Sequence, residues 1–357
     1  MSEDYVIDAF GARWSLDTDA LDADASARLQ VLWERCRVPG VAAGASALGV
    51  EPFVVSDSDP YAVSREITLA SLQRRRGSAV LLHAAGLNLG ERAIAFVGQS
   101  GAGKSTAARV LGQHFGYLSD ETVAVEADGR VAPYPKPLSI ITDPDAPWDK
   151  GEWSPDELGL RKASEPAYLT GLVLLERDPG RTVPELVELP LIDALLAVIA
   201  QSSSLPMLDR PLHRLAELAS GSGGPYLLRY NEIGDCIHLI DALLAGGKDS
   251  EREPWTSTPP PVVFSPNSPD THRHAVVRAA WRDAVHGEGG TLVLVGETPV
   301  RLGPVGEILW RIAAAPVSRD DAYAAVVAEL GPHPDAARAV DDGIAQLVEL
   351  GLLRVSS

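Results

Sequence analysis

A chain of 357 residues with 45 % apolar content is long enough for two or three packed domains and too apolar to stay disordered. Its formal net charge of −18 argues against nucleic acid or an anionic membrane as a partner. Two cysteines without metal-ligand spacing (Cys36 and Cys236), an N-terminus without an apolar h-region, and no apolar run near the ~18 residues of a membrane span predict a reduced, cytoplasmic protein.

YVIDAFGARWSL reads as a strand pair, and ADASARLQVLWERCRV has helical spacing at Leu29, Leu32 and Cys36. VEPFVVSDSD is a strand running into a turn. REITLASLQRRRG reads as a helix closed by Gly77, with three arginines in its last turn where the helix dipole favours them. Segment 1–60 is expected to pack on the domain that follows, residues 61–247. SAVLLHAAGLNLGERAIAFVG gives two short apolar strands around a polar turn.

From Gly98 the pattern becomes strand, loop, helix, strand. Gly98-Gln99-Ser100-Gly101-Ala102-Gly103-Lys104-Ser105 fits the phosphate-binding loop G-x-x-x-x-G-K-[ST] in full, between the strand AIAFV and the helix STAARVLGQHFG. Its glycines let the backbone curl so that successive N–H groups face phosphate oxygens, and the following helix adds its dipole. Lys104 is expected to reach the β- and γ-phosphates of ATP, and the Ser105 hydroxyl to hold Mg²⁺. Thr106 completes the nucleotide-binding set, Gly98 and Ser100 to Thr106.

YLSD begins the next strand and leaves Asp120 at its end, where a carboxylate acts as base or metal ligand in phosphoryl transfer, or simply caps a turn. On a continuing strand Glu121 would point to the opposite face. His83, fifteen residues before Gly98 at the end of AVLLH, reads by itself as a packed core histidine.

TVAVEADGRVAPY is a hairpin turning at Asp128-Gly129, and LTGLVLLERD is a buried strand. PLIDALLAVIAQ and DRPLHRLAELAS are helices, YLLRY a strand and IGDCIHLIDALLAG the last helix of this domain. Residues 248–270 are rich in Pro, Ser and charge without periodicity, and read as a linker. Extended, such a linker spans on the order of 60–70 Å.

Residues 271–357 form a separate unit. AVVRAAWRDAVHG, GTLVLVG and TPVRLG predict three short strands. PVGEILWRIAAA is a helix with Pro304 in its first turn, and SRDDAYAAVVAELG a helix capped by Ser318. HPDAARAVDDGIAQLVELG is a third helix stopped by Gly351, with a final strand in LLRVS. The order suggests a winged-helix-like module. The absence of a basic recognition helix argues against DNA, and Trp310 reads as core.

The stretch LLHAAGL…FVGQSGAGKSTAARVLG…GYLSDETVAV resembles the catalytic domain of HPr kinase/phosphorylase, and more closely the HPr-kinase-like proteins of peptide natural-product clusters. The resemblance covers roughly residues 60–247. It implies an α/β P-loop fold, His83 near the phosphates, and Asp120, sixteen residues after Lys104, as proton acceptor or Mg²⁺ contact. Asp120-Glu121 stands where the family shows Asp-Asp, Thr106 stands where the true HPr kinases carry Glu, and their arginine-bearing substrate loop has no clear counterpart.

The tail, GTLVLVGETPVRLGPVGEILW…AVDDGIAQLVELGLL, resembles the small α+β PqqD-like domain, or RiPP recognition element. Such domains bind a precursor's leader peptide as an added strand. The resemblance implies an accepting edge at Thr298, Pro299, Val300, Arg301 and Leu302, faced by Ala345, Val348 and Glu349 of the last helix, with Ile344 and Leu347 in the core.

The two resemblances together imply a RiPP biosynthesis protein that captures a precursor peptide and phosphorylates its Ser or Thr hydroxyl with ATP and Mg²⁺. The alternative is an adaptor, with or without bound nucleotide, that presents the peptide to another modifying enzyme such as an oxidoreductase.

Overall fold

The computed structural model describes residues 5–41, 49–141, 150–221, 223–246, 254–261 and 275–356, and the fold is mixed α/β. The chain divides into two compact units. One holds residues 1–189, 197–209 and 218–250; the other holds 190–196, 210–217 and 251–357. The tail unit thus recruits two short pieces of chain that lie before the expected linker.

The larger unit is built on a ten-stranded sheet. Its main path runs Arg161–Lys162, Gly116–Ser119, Val80–Leu89, Arg92–Val97, Tyr168–Arg177, Pro225–Tyr230 and Glu185–Glu188. Arg92–Val97, Tyr168–Arg177 and Pro225–Tyr230 are parallel neighbours. Their apolar runs AIAFV and LVLL are continuous because both faces are covered. The helices Lys104–Leu111 and Ile237–Leu244 pack on one face, joining Ile94, Phe96, Val173, Leu111 and Ile240 in one core.

The Val80–Leu89 strand is longer than the apolar pattern suggests, and it changes partner midway. Val80 to His83 pair with Val125 to Thr122, whereas Gly86 to Asn88 pair with Ser119 to Gly116. Both partners diverge beside Gly86, where a Cβ would stand 2.9 Å from Val123 Cγ2 and 3.3 Å from Leu118 Cβ. A glycine is therefore required where the two strands part.

The N-terminal residues form a three-stranded sheet, with Tyr5–Ala9 antiparallel to Ala12–Asp17 and Val50–Val54 parallel to the latter. The helix Pro60–Arg75 lies against it, with Pro60 in its first turn and the Asp59 carboxylate accepting from Tyr61 N and Ala62 N. The Trp14 indole N–H donates to Ser71 Oγ at 2.8 Å. Ile7, Phe10, Trp33 and Ile67 share a core with Leu81 and Ala124 of the larger sheet and with Tyr134 of the segment that follows it.

In the tail unit, Thr256–Thr258, Asp283–Gly287, Gly290–Val295 and Thr298–Leu302 form an antiparallel sheet in that order. Three residues of the expected linker are therefore an edge strand, their two threonines suiting a pleated surface. Residues 247–253 and 262–274 lie outside the described residues. The first tail stretch, expected as one strand, is two: Val276–Arg278 pairs with Leu353–Val355, while Asp283–Gly287 enters the sheet. The helices Pro304–Ile312, Arg319–Leu330 and Ala336–Glu349 follow the expected order. Ser318 caps the second by accepting from Asp321 N, and Trp310, Ile344 and Leu347 are buried. The carboxylate of Asp283, fully buried, accepts from His213 N at 2.8 Å in the first turn of the helix Pro211–Gly221.

Candidate functional site

The loop from Gly98 to Gly103 joins the end of a central strand to a helix that begins at Lys104. Gly101 (φ +83°) and Gly103 (φ +96°) take the left-handed backbone that only glycine adopts freely. A Cβ on Gly98 would meet Ala102 Cβ at 2.7 Å, and one on Gly103 would meet Tyr230 Oη at 2.6 Å. The Tyr230 hydroxyl donates to the Ala102 carbonyl at 2.9 Å, so a neighbouring strand clamps the loop. The Ala102 N–H donates to Gln99 O at 3.0 Å, so Ala102 braces the loop instead of offering its own N–H outward, as the motif alone suggests.

A cleft of about 790 Å³ opens over this loop. Ser100, Gly101, Gly103, Lys104, Ser105 and Thr106 form one wall, with His83, Asp120 and Glu121 beside them. The Lys104 ammonium donates to Gly98 O at 2.6 Å and to Gln99 O at 3.2 Å, and burial pulls it below the ordinary lysine range. Arg65, Arg109 and Lys150 add positive charge to the lining, which suits an anion in spite of the chain's acidity.

His83 is exposed in this cleft, not packed in the core, because its strand turns that position outward between buried Leu82 and Ala84. Its backbone is fixed by donation to Gln201 O at 2.7 Å. Desolvation, with the nearby Lys104 charge, holds the imidazole below its usual value of 6.5, and Glu121 and Asp120 oppose this. The balance favours the neutral imidazole.

Asp120 and Glu121 lie in the bend between Gly116–Ser119 and Thr122–Val125, where Val80–Leu89 changes partner. Outside a regular pleat the alternation rule does not apply. Both carboxylates reach one ammonium, that of Lys136, at 3.2 Å for Asp120 Oδ1 and 3.4 Å for Glu121 Oε2. The expected opposite facing of Glu121 is thus corrected.

Lys136 is only 2 % exposed. It also donates to Pro137 O at 2.9 Å, and the Tyr117 hydroxyl lies 3.1 Å from both Asp120 Oδ1 and Lys136 O. Burial opposes its charge, but Asp120, Glu121 and Glu152 outweigh that and hold it well above the ordinary range. Glu152 is buried as well and accepts from Ser64 Oγ at 2.9 Å and from Ser139 Oγ. Burial pushes its carboxyl up, against the pull of Lys136 and both serines. Sequence reasoning missed Lys136, Tyr117 and Glu152. A lone lysine between two prolines was the available sign.

In the tail unit, Thr298–Leu302 is the outer strand of its sheet and pairs, among the described residues, with Gly290–Val295 alone. Thr298 and Arg301 are exposed, Pro299 and Val300 half-buried, and Leu302 buried. Arg301 is held by Asp193 Oδ1 and Gly289 O, both at 2.5 Å. Ala345, Val348 and Glu349 are exposed on the last helix, between buried Ile344 and Leu347.

No helix among the described residues is long and apolar enough to cross a membrane. The chain matches no protein-family model, and no curated protein is significantly similar to it.

Proposed function

We propose that this protein binds ATP·Mg²⁺ in the cleft over the Gly98–Ser105 loop and phosphorylates a Ser or Thr hydroxyl of a peptide captured by its tail unit. One observation carries the reading: Ser100, Gly101 and Gly103 to Thr106 of a complete phosphate-loop motif line one cleft with His83 and with an Asp120 carboxylate held by Lys136. The residues fit the ligand. Gly98 and Gly103 leave no room for a Cβ, Gly101 and Gly103 supply left-handed backbone, and Lys104 stands at the start of the helix. Ser105 offers the hard oxygen that Mg²⁺ takes, which leaves the Asp120 carboxylate to the acceptor.

Bound there, ATP·Mg²⁺ supplies the phosphoryl group and neutralises part of its charge. Lys104 stabilises charge on the transferred group, and His83, whose neutral form is favoured, orients phosphate oxygens by hydrogen bonding. Asp120 accepts the proton of the attacking hydroxyl. The tail unit offers its outer strand to the peptide's leader as a PqqD-like domain would, with main-chain hydrogen bonds for affinity. Tethering then delivers the acceptor at an effective concentration of roughly millimolar.

A second reading has its own support. Asp120 and Glu121 are already paired with Lys136, and the Ala102 N–H is spent inside the loop, which leaves fewer free groups for a reaction. The protein would then present the peptide to a separate modifying enzyme. Incubation with γ-labelled ATP and a degenerate Ser/Thr peptide library, supplied at the roughly millimolar concentration that tethering would provide, separates the two. The kinase reading expects label on peptide that disappears in Lys104→Ala, and the adaptor reading expects none from either chain.

A further inference from the structure

We propose that Lys136 is a positioning residue for phosphoryl transfer: with Tyr117 it holds Oδ1 of Asp120, so that Oδ2 is the oxygen turned to the acceptor hydroxyl. The inference rests on the kinase reading above and adds to it a residue that neither motif contains.

A buried ion pair is weak support for stability, because taking both charges out of water offsets most of their attraction. An apolar residue at position 136 would meet the needs of packing. Instead an ammonium 2 % exposed stands between Pro135 and Pro137, whose rings fix the backbone on either side. The same segment is tied down by Tyr134 N donating to Leu118 O and Lys136 N donating to Tyr134 O, both at 2.8 Å. Among the described residues its ion-pair partners are Asp120 and Glu121, the two acids that follow the glycine-rich loop. Tyr117 ties the parts together, since its hydroxyl touches the Asp120 carboxylate and the Lys136 carbonyl at once.

A carboxylate that spins freely offers either oxygen in many directions. One whose Oδ1 is engaged twice offers a single oxygen in one direction, and such preorganisation is where rate is gained. Oδ2 has no hydrogen bond among the described residues, and Asp120 lines the cleft. The step itself is ordinary. The acceptor oxygen bonds to the γ-phosphorus, the bond to the β–γ bridging oxygen breaks, ADP leaves, and the hydroxyl proton passes to Oδ2.

The test uses the full chain with Lys136→Met, Lys136→Arg and Tyr117→Phe. Three quantities are read: melting temperature, affinity for the fluorescent probe mant-ATP, and label transferred from γ-labelled ATP to a degenerate Ser/Thr peptide library. The expected result is mant-ATP affinity within about twofold throughout, because the Asp120 carboxylate and not the nucleotide cradle is disturbed. Transfer falls about 100-fold in Lys136→Met, less in Lys136→Arg, and several-fold in Tyr117→Phe. Transfer by Lys136→Met equal to the parent's overturns the inference, as does a parallel loss of nucleotide affinity and transfer, which marks a structural role. If Lys136→Met does not fold, unchanged transfer in both Lys136→Arg and Tyr117→Phe overturns it. A parent chain that binds mant-ATP but labels no peptide overturns the kinase reading itself and this inference with it.

Discussion

Tyr230 closes over Gly103: its hydroxyl oxygen lies 2.6 Å from where a Cβ on that glycine would stand, and it donates to the carbonyl of the preceding residue. Loop and strand are therefore shaped to each other. Gly103→Ala meets both this contact and a φ of +96°. Strain and overpacking of this kind cost about 1–3 kcal/mol. Thermal unfolding is expected to show that loss together with weakened mant-ATP binding. Tyr230→Phe added to Gly103→Ala removes the hydroxyl and restores part of the melting temperature; no restoration would refute the clash.

Lys104 supplies a buried ammonium to the cleft, and its present partners are two loop carbonyls. A hydrogen bond to a charged group contributes about 1.5–3 kcal/mol, so Lys104→Ala should weaken mant-ATP binding roughly 10- to 100-fold. Fluorescence titration reads this directly. Unchanged affinity would mean that nucleotide does not use this lysine.

Gly86 stands where two strands part on one side of Val80–Leu89. Gly86→Ala drives a methyl to 2.9 Å from Val123 Cγ2 and 3.3 Å from Leu118 Cβ. Overpacking here is expected to cost about 1–3 kcal/mol in chemical denaturation. The shift passes to the bend that carries Asp120 and Glu121, so peptide labelling should fall further than stability alone accounts for.

Glu152 carries a carboxyl that burial raises above its ordinary value of 4.5 in the folded chain. A raised folded-state value gives stability that is full below the unfolded value and is lost as pH rises through the folded one. Glu152→Gln removes that loss, while Lys136 keeps Asp120 and Glu121. The melting temperature of Glu152→Gln relative to the parent should therefore climb as pH rises above the ordinary carboxyl value of 4.5. A difference that is flat or falling would contradict the assignment.

Much of the larger unit was legible because its signals are local. The strand ending at Val97, the left-handed glycines and the helix starting at Lys104 follow from adjacent residues. The same holds for Ser318 as a helix cap and Pro304 in a first helical turn. What was not legible depends on distant pairing. Nothing near His83 tells that its strand turns it outward, or that Asp120 and Glu121 leave the pleat where that strand changes partner. Lys136 gained its meaning only when the chain returned to lay it under both carboxylates. Thr256–Thr258 was hidden by the prolines around it, and its partner lies 28 residues on for the pair Ser257 and Val285.

The central claim is that one cleft holds ATP and hands its phosphoryl group to a peptide hydroxyl through Asp120. The most direct measurement is label transfer from γ-labelled ATP to a degenerate Ser/Thr peptide library, by the parent chain and by Asp120→Asn, with mant-ATP affinity measured on both. The expected result is phosphoserine or phosphothreonine from the parent, about 10²- to 10⁴-fold less from Asp120→Asn, and similar affinity in the two. Equal labelling by both chains, or none from a parent that binds mant-ATP, would contradict it.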